Sequence, residues 1–312
     1  MIISLIIAFS ISFILLLLLL NTKFAHFAMD LPNHRSLHTA LTPRTGGLAI
    51  MLGVLCAFFW FGGQWIWIIL LISLLLVSLC DDIFHLPVRW RFGVQCIASL
   101  CFVLILIPLQ SMWLTVLAVI TLVWMTNLFN FMDGADGLAG GMTVIGFATY
   151  AFAAYAAGNT QIALISGCIV SSALAFLIFN FHPAKIFMGD AGSIPLGFLA
   201  GAIGLLGWQQ GTWALWFPIL IFSPFIVDAT VTLLKRALRG KKVWQAHREH
   251  YYQRLILAGW GHKKTALAEY LLMIFAAGSA IFGLNTPYIY PLLALWVIIY
   301  VVLMVCIDKH TA

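Results

Sequence analysis

The sequence predicts an all-α integral membrane protein of about eleven transmembrane helices, N-terminus outside (periplasmic) and C-terminus cytoplasmic. Three observations predict it. Hydrophobic residues make up 63% of the 312 and charged residues only 8%, with a mean hydropathy of +1.06. A soluble domain of this length needs far more polar surface. Apolar runs of about 20 residues, the length that crosses ~30 Å of hydrocarbon, recur from end to end. The Lys and Arg residues, finally, fall in one set of alternate loops.

Backbone groups in lipid must be paired within their own segment, so the runs are read as helices; the short alternating segments of a barrel are missing. The first run, residues 2–20, has no charged start and no small-residue cleavage site, so it reads as a retained helix and not a signal peptide. The others cover 46–62, 65–80, 93–109, 112–130, 138–157, 161–180, 193–208, 212–234, 266–283 and 289–307. The turns at 62–64, 108–112, 158–161, 207–211 and 283–288 contain no ionisable residue. The opposite side holds Lys23, Arg35, Arg44, Arg89, Arg91, Lys185, the run Lys235 to Lys264, and Lys309. Basic residues mark the cytoplasmic side of short loops, which sets the orientation. The net charge of +6 then lies on that face, where it attracts anionic headgroups and nucleotides.

The whole chain, 1–312, reads as one membrane domain, with its chemistry in cytoplasmic loops 21–45, 81–92, 127–137, 180–193 and 235–265. The six cysteines lie in or beside apolar runs without paired spacing, so they read as small core residues. The uncharged outer turns leave room for a contact between two copies without calling for one.

Three aspartate groups gather on the charged side: Asp81-Asp82, Asp133/Asp136 and Asp190. Adjacent carboxylates repel, and a cation or a nearby base such as Arg91 relieves that. Asn127/Asn130 and Asp133/Asp136 each repeat at i, i+3, the spacing that lines one helix face, with Gly134 and Gly137 leaving room for a ligand. After Asn180, Pro183 breaks the helix, Lys185 offers a phosphate partner, and Gly189-Asp190 precedes a helix N-terminus, a natural anion seat. Phe187 has the ring to stack on a nucleobase. In the last long loop His247 and His250 share an i, i+3 spacing; without a third ligand they read as hydrogen-bond donors to sugar or phosphate and not as a metal pair.

Taken in order, these strings resemble the polyprenyl-phosphate N-acetylhexosamine-1-phosphate transferases. The resemblance runs from Pro32-Asn33-His34-Arg35-Ser36-Leu37-His38 and Pro43-Arg44-Thr45-Gly46-Gly47, through Asp81-Asp82 and Asn127 to Asp136, to Pro183-Ala184-Lys185, Asp190 and His247 to Arg254. It implies attack of a polyprenyl phosphate oxygen on the β-phosphorus of a UDP-activated amino sugar, with UMP leaving. It also implies a bacterial cytoplasmic (inner) membrane location, undecaprenyl phosphate as acceptor, no nucleic-acid partner, and Mg²⁺ (or Mn²⁺) as cofactor, a hard cation that suits oxygen ligands. By motif, Asp190 and Asn130 would bind the metal, and Asp133 and Asp136 would contact metal or uridine. Phe187 would pack on uracil; Asn180, Arg91, Lys185, His247, His250 and Arg254 would complete the substrate site. Asp81, with Asp82, is the implied catalytic base. A phosphate monoester with a second pKa near ~6 is largely dianionic already, so the residues themselves leave a positioning role open to this pair.

Two departures stand out. Thr45 sits where a third glycine is usual, and His247-Arg248-Glu249-His250 differs from the His-Ile-His-His style of enterobacterial GlcNAc-1-phosphate transferases. The latter leans toward the branch that initiates O-antigen, and so lipopolysaccharide, on other N-acetylated and often deoxygenated sugars. Phospho-MurNAc-pentapeptide translocases of cell-wall synthesis share the core motifs and stand as the alternative. From a different class, a cation-coupled transporter would place acids near mid-span and show an internal repeat, neither of which is evident.

Overall fold

A computed structural model describes residues 1–22, 28–30, 41–84, 86–245 and 247–311; the Pro32 to His38 string lies outside them. The helices are α1 (Ile2–Asn21), α2 (Gly46–Trp60), α3 (Trp65–Phe84), α4 (Val88–Leu106), α5 (Met112–Phe131), α6 (Leu138–Ala156), α7 (Thr160–Asn180), α8 (Asp190–Gln209), α9 (Trp216–Ile221), α10 (Ser223–Leu238), α11 (Tyr251–Leu255), α12 (Gly261–Leu284) and α13 (Ile289–His310). A two-residue ribbon, β1 (Met29–Asp30) with β2 (Thr42–Pro43), is the one addition to an otherwise all-helical architecture among the described residues.

Nine of the described helical segments are long and apolar enough to cross a membrane, α11 and α12 counting as one. Of the other apolar runs, α2 is 15 residues long. The run 212–234 is divided into α9 and α10 at Phe222, with Pro218 and Pro224 on either side; each proline lacks an N–H, which favours such a break. Helix α4 starts directly after Pro87, five residues earlier than the apolar pattern, so Arg89 and Arg91 ride on its first turn and not in a loop. A wide π turn at Ile256–Trp260, opened by Gly259 at φ +95°, joins α11 to α12.

Helix α8 is the axle of the molecule. Of its most apolar window 94% is buried inside the protein, against 28% for α1 and α4 and 11% for α13. Small residues make this feasible: a Cβ on Gly197 would lie 2.6 Å from the Met125 carbonyl of α5, and one on Gly201 3.2 Å from the Met125 Cβ. Close helix approach through small residues is how membrane helices gain packing where lipid supplies no hydrophobic drive. The outer helices present Ile, Leu and Phe to the lipid zone, with Trp60, Trp65 and Trp113 at the uncharged end in the manner of an interfacial belt.

Two acids depart from the expectation that ionisable residues keep to the loops. Glu269 lies about two turns into α12, and Asp228 is buried within α10. A cavity of about 700 Å³ between α10, α12 and α13 is lined mostly by apolar side chains and shares no lining residue with the aspartate cluster described next.

Candidate active site

The ends of α3, α4, α5 and α8 on the charged side converge on one carboxylate. Asp190 opens α8, and its Oδ2 accepts from Arg91 Nη1 of α4 at 2.9 Å. The same guanidinium nitrogen donates to Asp81 Oδ2, on the last turns of α3, at 2.5 Å. From α5, Asn130 Nδ2 donates to Asp190 Oδ1 and to Ser193 Oγ, both at 2.8 Å. Asn127, one turn back on the same face, instead donates to Gln95 of α4 at 2.8 Å, pinning α4 to α5. Arg91 is thus held between two acids, where the early start of α4 delivers it.

Asp82 does a different job from its neighbour. Its two oxygens accept the backbone N–H groups of Asp190 (3.3 Å) and Ala191 (3.0 Å). It therefore caps α8 from another helix, satisfying donors a helix N-terminus leaves open. The anion seat expected at this N-terminus is filled by the protein's own carboxylate. Arg44 Nη2 lies 4.0 Å from Asp82. The segment carrying Arg44 is zipped to the loop before α8: Phe187 N donates to Pro43 O, Gly46 N to Phe187 O and Gly47 N to Met188 O, at 2.8 to 2.9 Å. At Gly189 (φ +70°) a Cβ would sit 2.4 Å from the Arg44 carbonyl and 3.0 Å from Asp82 Oδ2, so glycine alone fits both the conformation and the space.

Asp133 and Asp136 do not share a helix face. Helix α5 stops at Phe131, and Met132 to Gly137 form a turn that Gly137 closes at φ +77°. Burial pushes the Asp133 carboxyl well above the usual range; Arg44 opposes this, while the charges of Asp190 and Asp82 add to it. Asp136 points the other way. Its Oδ2 lies 2.7 Å from His182 Nδ1 and accepts from Ala184 N at 3.2 Å. Its backbone N–H donates to His262 Nδ1 at 3.2 Å. The His182 and His262 rings are nearly parallel, 5.8 Å apart. Asn180 is a brace, accepting from Gly137 N (3.0 Å) and donating to Ile186 O (2.9 Å). Phe187, Arg44, Asp133, Asp136 and His262 line a small cavity of about 80 Å³ beside this turn. The Lys185 side chain is exposed.

The last loop is organised by Asp228. Its carboxylate accepts from Tyr251 N and Tyr252 N at 3.0 Å each and from Thr232 Oγ1 at 3.2 Å, with His250 Nδ1 at 3.2 Å. His250 is buried as the N-cap of α11, so its i, i+3 spacing to His247 is not helical; the two rings stack at 4.9 Å. Arg254 faces α13 and donates to Asp308 Oδ1 at 2.6 Å. Tyr252 faces the other way, donating to Phe131 O at 3.0 Å.

Burial, with the positive charges of His250 and Arg236, pushes the His247 imidazole down to about 4. Its Nδ1 accepts the Glu249 N–H at 3.3 Å, an arrangement that needs the neutral ring. Between pH 6.5 and about 4 the unfolded chain takes up a proton here that the folded chain refuses, so folding stability falls with pH across that window. Thermal unfolding in detergent should therefore fall more steeply from pH 7.5 to 5 in the wild type than in His247→Gln. Parallel curves would contradict the assignment.

The cluster unites Asp81, Asp82, Arg91, Asn130, Asp133 and Asp190, with Phe187, Asp136 and Asn180 alongside; it leaves Arg254 and His250 turned to other partners. Arg44, Ser193, His262, Asp228 and Tyr252 were not among the residues selected from the sequence. Arg44 sat in a quoted string, and an acid inside an apolar run was the available signal for Asp228. The acids around Asp190 offer carboxylate oxygens, the chemistry that suits a hard divalent cation, while Asn130 faces Asp190 with its Nδ2. Four carboxyls here face two guanidiniums. Among the described residues no three His, Cys, Asp or Glu side chains are arranged to hold an ion together.

The chain is similar to known proteins. A sequence model of glycosyl transferase family 4 matches residues 64–207, the stretch from α3 to α8. The chain is 32% identical over 281 residues, 81% of its length and 76% of the relative's, to a probable undecaprenyl-phosphate N-acetylglucosaminyl 1-phosphate transferase of Bacillus subtilis. It is 28% identical, over 77% of its length and 83% of the relative's, to a phospho-N-acetylmuramoyl-pentapeptide-transferase of Halalkalibacterium halodurans. A decaprenyl-phosphate N-acetylglucosaminephosphotransferase of Mycobacterium leprae is 29% identical, covering 82% and 77%. The chain belongs to glycosyl transferase family 4, among the polyprenyl-phosphate N-acetylhexosamine-1-phosphate transferases.

Proposed function

We propose that this protein transfers N-acetylhexosamine 1-phosphate from a UDP-sugar (UDP-GlcNAc or a UDP-N-acetyl deoxyhexosamine) to undecaprenyl phosphate. A lipid phosphate oxygen bonds to the β-phosphorus of the donor, the bond between that phosphorus and the bridging oxygen breaks, and the bridging oxygen keeps the electron pair and leaves on the α-phosphorus as part of UMP. The observation that carries this reading is the junction at Asp190, where Asp81 of α3 and Asp190 of α8 meet on Arg91 of α4 and Asn130 of α5 donates to Asp190. In this reading Arg91 and Arg44 attract the diphosphate, and the diphosphate competes with Asp81 and Asp190 for Arg91. Phe187 offers a ring face for uracil beside Asp133 and Asp136, while His182 and His262 hold Asp136 in place. Asp81 positions the acceptor phosphate.

In this reading Asp190, with Asn130, would hold a divalent cation once Arg91 and the Asn130 Nδ2 give up its oxygens. Mg²⁺ or Mn²⁺ bound there would neutralise diphosphate charge and so ease departure of UMP. Eleven spans with the N-terminus outside, in a bacterial inner membrane, put the whole cluster at the cytoplasmic face, where UDP-sugars are. The His247-Arg248-Glu249-His250 departure is what supports product entry into O-antigen. Relatives named phospho-N-acetylmuramoyl-pentapeptide-transferases favour one second reading, with UDP-MurNAc-pentapeptide as donor.

Purified protein with undecaprenyl phosphate, Mg²⁺ and a donor panel should release UMP and form a lipid-linked product with one N-acetylhexosamine donor. UMP from UDP-MurNAc-pentapeptide alone would select the second reading. No UMP from any donor, beside an active control enzyme, would overturn both.

A further inference from the structure

Helix α13 is fastened to the molecule in an unusual way. Only Trp296 and Tyr300 of its 22 residues are buried, so apolar packing holds little of it. Its cytoplasmic end, by contrast, is bound by charge. Asp308 Oδ2 accepts from Lys235 Nζ of α10 and Asp308 Oδ1 from Arg254 Nη1 of α11, both at 2.6 Å. Arg254 Nη2 donates to Thr311 Oγ1 at 2.5 Å. The Tyr251 ring lies between the two cations, each 5.1 Å from its centroid, and Lys235 also reaches its hydroxyl.

Helix α11 has five residues, too few to be stable alone. Besides the Asp228 carboxylate at its N-terminus, contacts on two sides hold it. Tyr251 and Arg254 face α13, while Tyr252 faces the turn after α5. The Tyr252 hydroxyl donates to Phe131 O, and a Cβ on Gly134 would fall 2.2 Å from that oxygen. Phe131 and Gly134 bracket Asp133. A continuous path of contacts thus runs from Asp308 through Arg254 and α11 to the turn that carries an acid of the cluster.

We propose that Asp308 is a positioning residue: through Lys235 and Arg254 it seats α11 so that Tyr252 fixes the Asp133 turn. Its importance for turnover rests on the phosphotransfer proposed above; its mechanical role does not. Misplacing a group in such a site by about 1 Å costs up to about a hundredfold in rate. Asp308→Asn keeps the shape and removes the charge that binds two cations.

The test pairs kinetics with amide hydrogen exchange on the detergent-solubilised full chain. Asp308→Asn should lower kcat about tenfold or more, with KM for the UDP-sugar within about twofold. Exchange should quicken both in residues 250–256 and in residues 131–134. Asp308→Glu should restore most of the rate. Adding Tyr252→Phe to Asp308→Asn should cost less than the two single losses multiplied, since both cut one path. Wild-type kcat in Asp308→Asn, or faster exchange confined to α13, would overturn the proposal. If Asp308→Asn does not fold, Arg254→Gln puts the same question while leaving Lys235 on Asp308. Should the wild type release no UMP from any donor, the phosphotransfer reading fails by itself, and exchange at residues 131–134 still decides the role of Asp308.

Discussion

Asp190→Asn will reduce UMP formation by about 10³-fold while leaving the protein folded. The amide is nearly isosteric with the carboxylate, and the N-cap of α8 survives because Asp82, not the Asp190 side chain, takes the open N–H groups. What is lost is the negative charge that draws Arg91 at 2.9 Å and accepts from Asn130 at 2.8 Å. Arg91 then keeps only Asp81, and the oxygen cluster loses its central acid. Turnover measured alongside the thermal midpoint separates the two effects. A variant retaining more than about a tenth of wild-type turnover would remove Asp190 from the centre of the reaction. A variant that fails to fold would show that the charge serves stability first.

Gly47→Ala should have the largest effect on folding. The N-terminus of α2 lies against the N-terminus of α8 so closely that a Cβ on Gly47 would sit 2.1 Å from Gly192 N and 2.3 Å from Gly192 Cα. Those are backbone atoms and cannot rotate aside. The helices must part, which stretches the Gly47 N to Met188 O bond of 2.8 Å and shifts the Arg44 segment from Asp82. Overpacking of this kind typically costs about 1–3 kcal/mol, and here a hydrogen bond goes with it. The yield of monodisperse protein in detergent and its melting temperature check this. Gly278→Ala serves as a control, having no atom within 4 Å and no positive φ. Equal stability for Gly47→Ala and wild type would mean that α2 and α8 are not this close.

The membrane architecture was legible because lipid imposes one demand on every span, about 20 apolar residues with internally paired backbone. The gathering of Asp81, Asp82, Asp133 and Asp190 followed from their shared membrane side. What each acid does was not legible. Asp82 caps a helix that begins 108 residues later, a pairing that only the packed bundle creates. The i, i+3 spacing of Asp133 and Asp136 suggested a helix face, but the glycines beside them open a turn and send the two carboxyls to different partners. Spacing misled again at His247 and His250, since α11 starts only after His250. Asp228 was hidden inside an apolar run, where a single acid barely alters the average yet organises a whole loop.

The burial of α8 bears on how the enzyme meets membranes of different thickness. Hydrophobic mismatch acts through helices that touch lipid, by tilting or bending them. In this molecule α1, α4 and α13 take that contact, whereas α8 is wrapped by α2, α3 and α5 almost throughout. Adapting to a thicker or thinner bilayer therefore falls to the rim of the bundle. Asp190, at the tip of the sheltered helix, keeps its distance to Asn130 of α5 as acyl-chain length varies, and Arg91, on lipid-facing α4, is the partner that bilayer thickness can move.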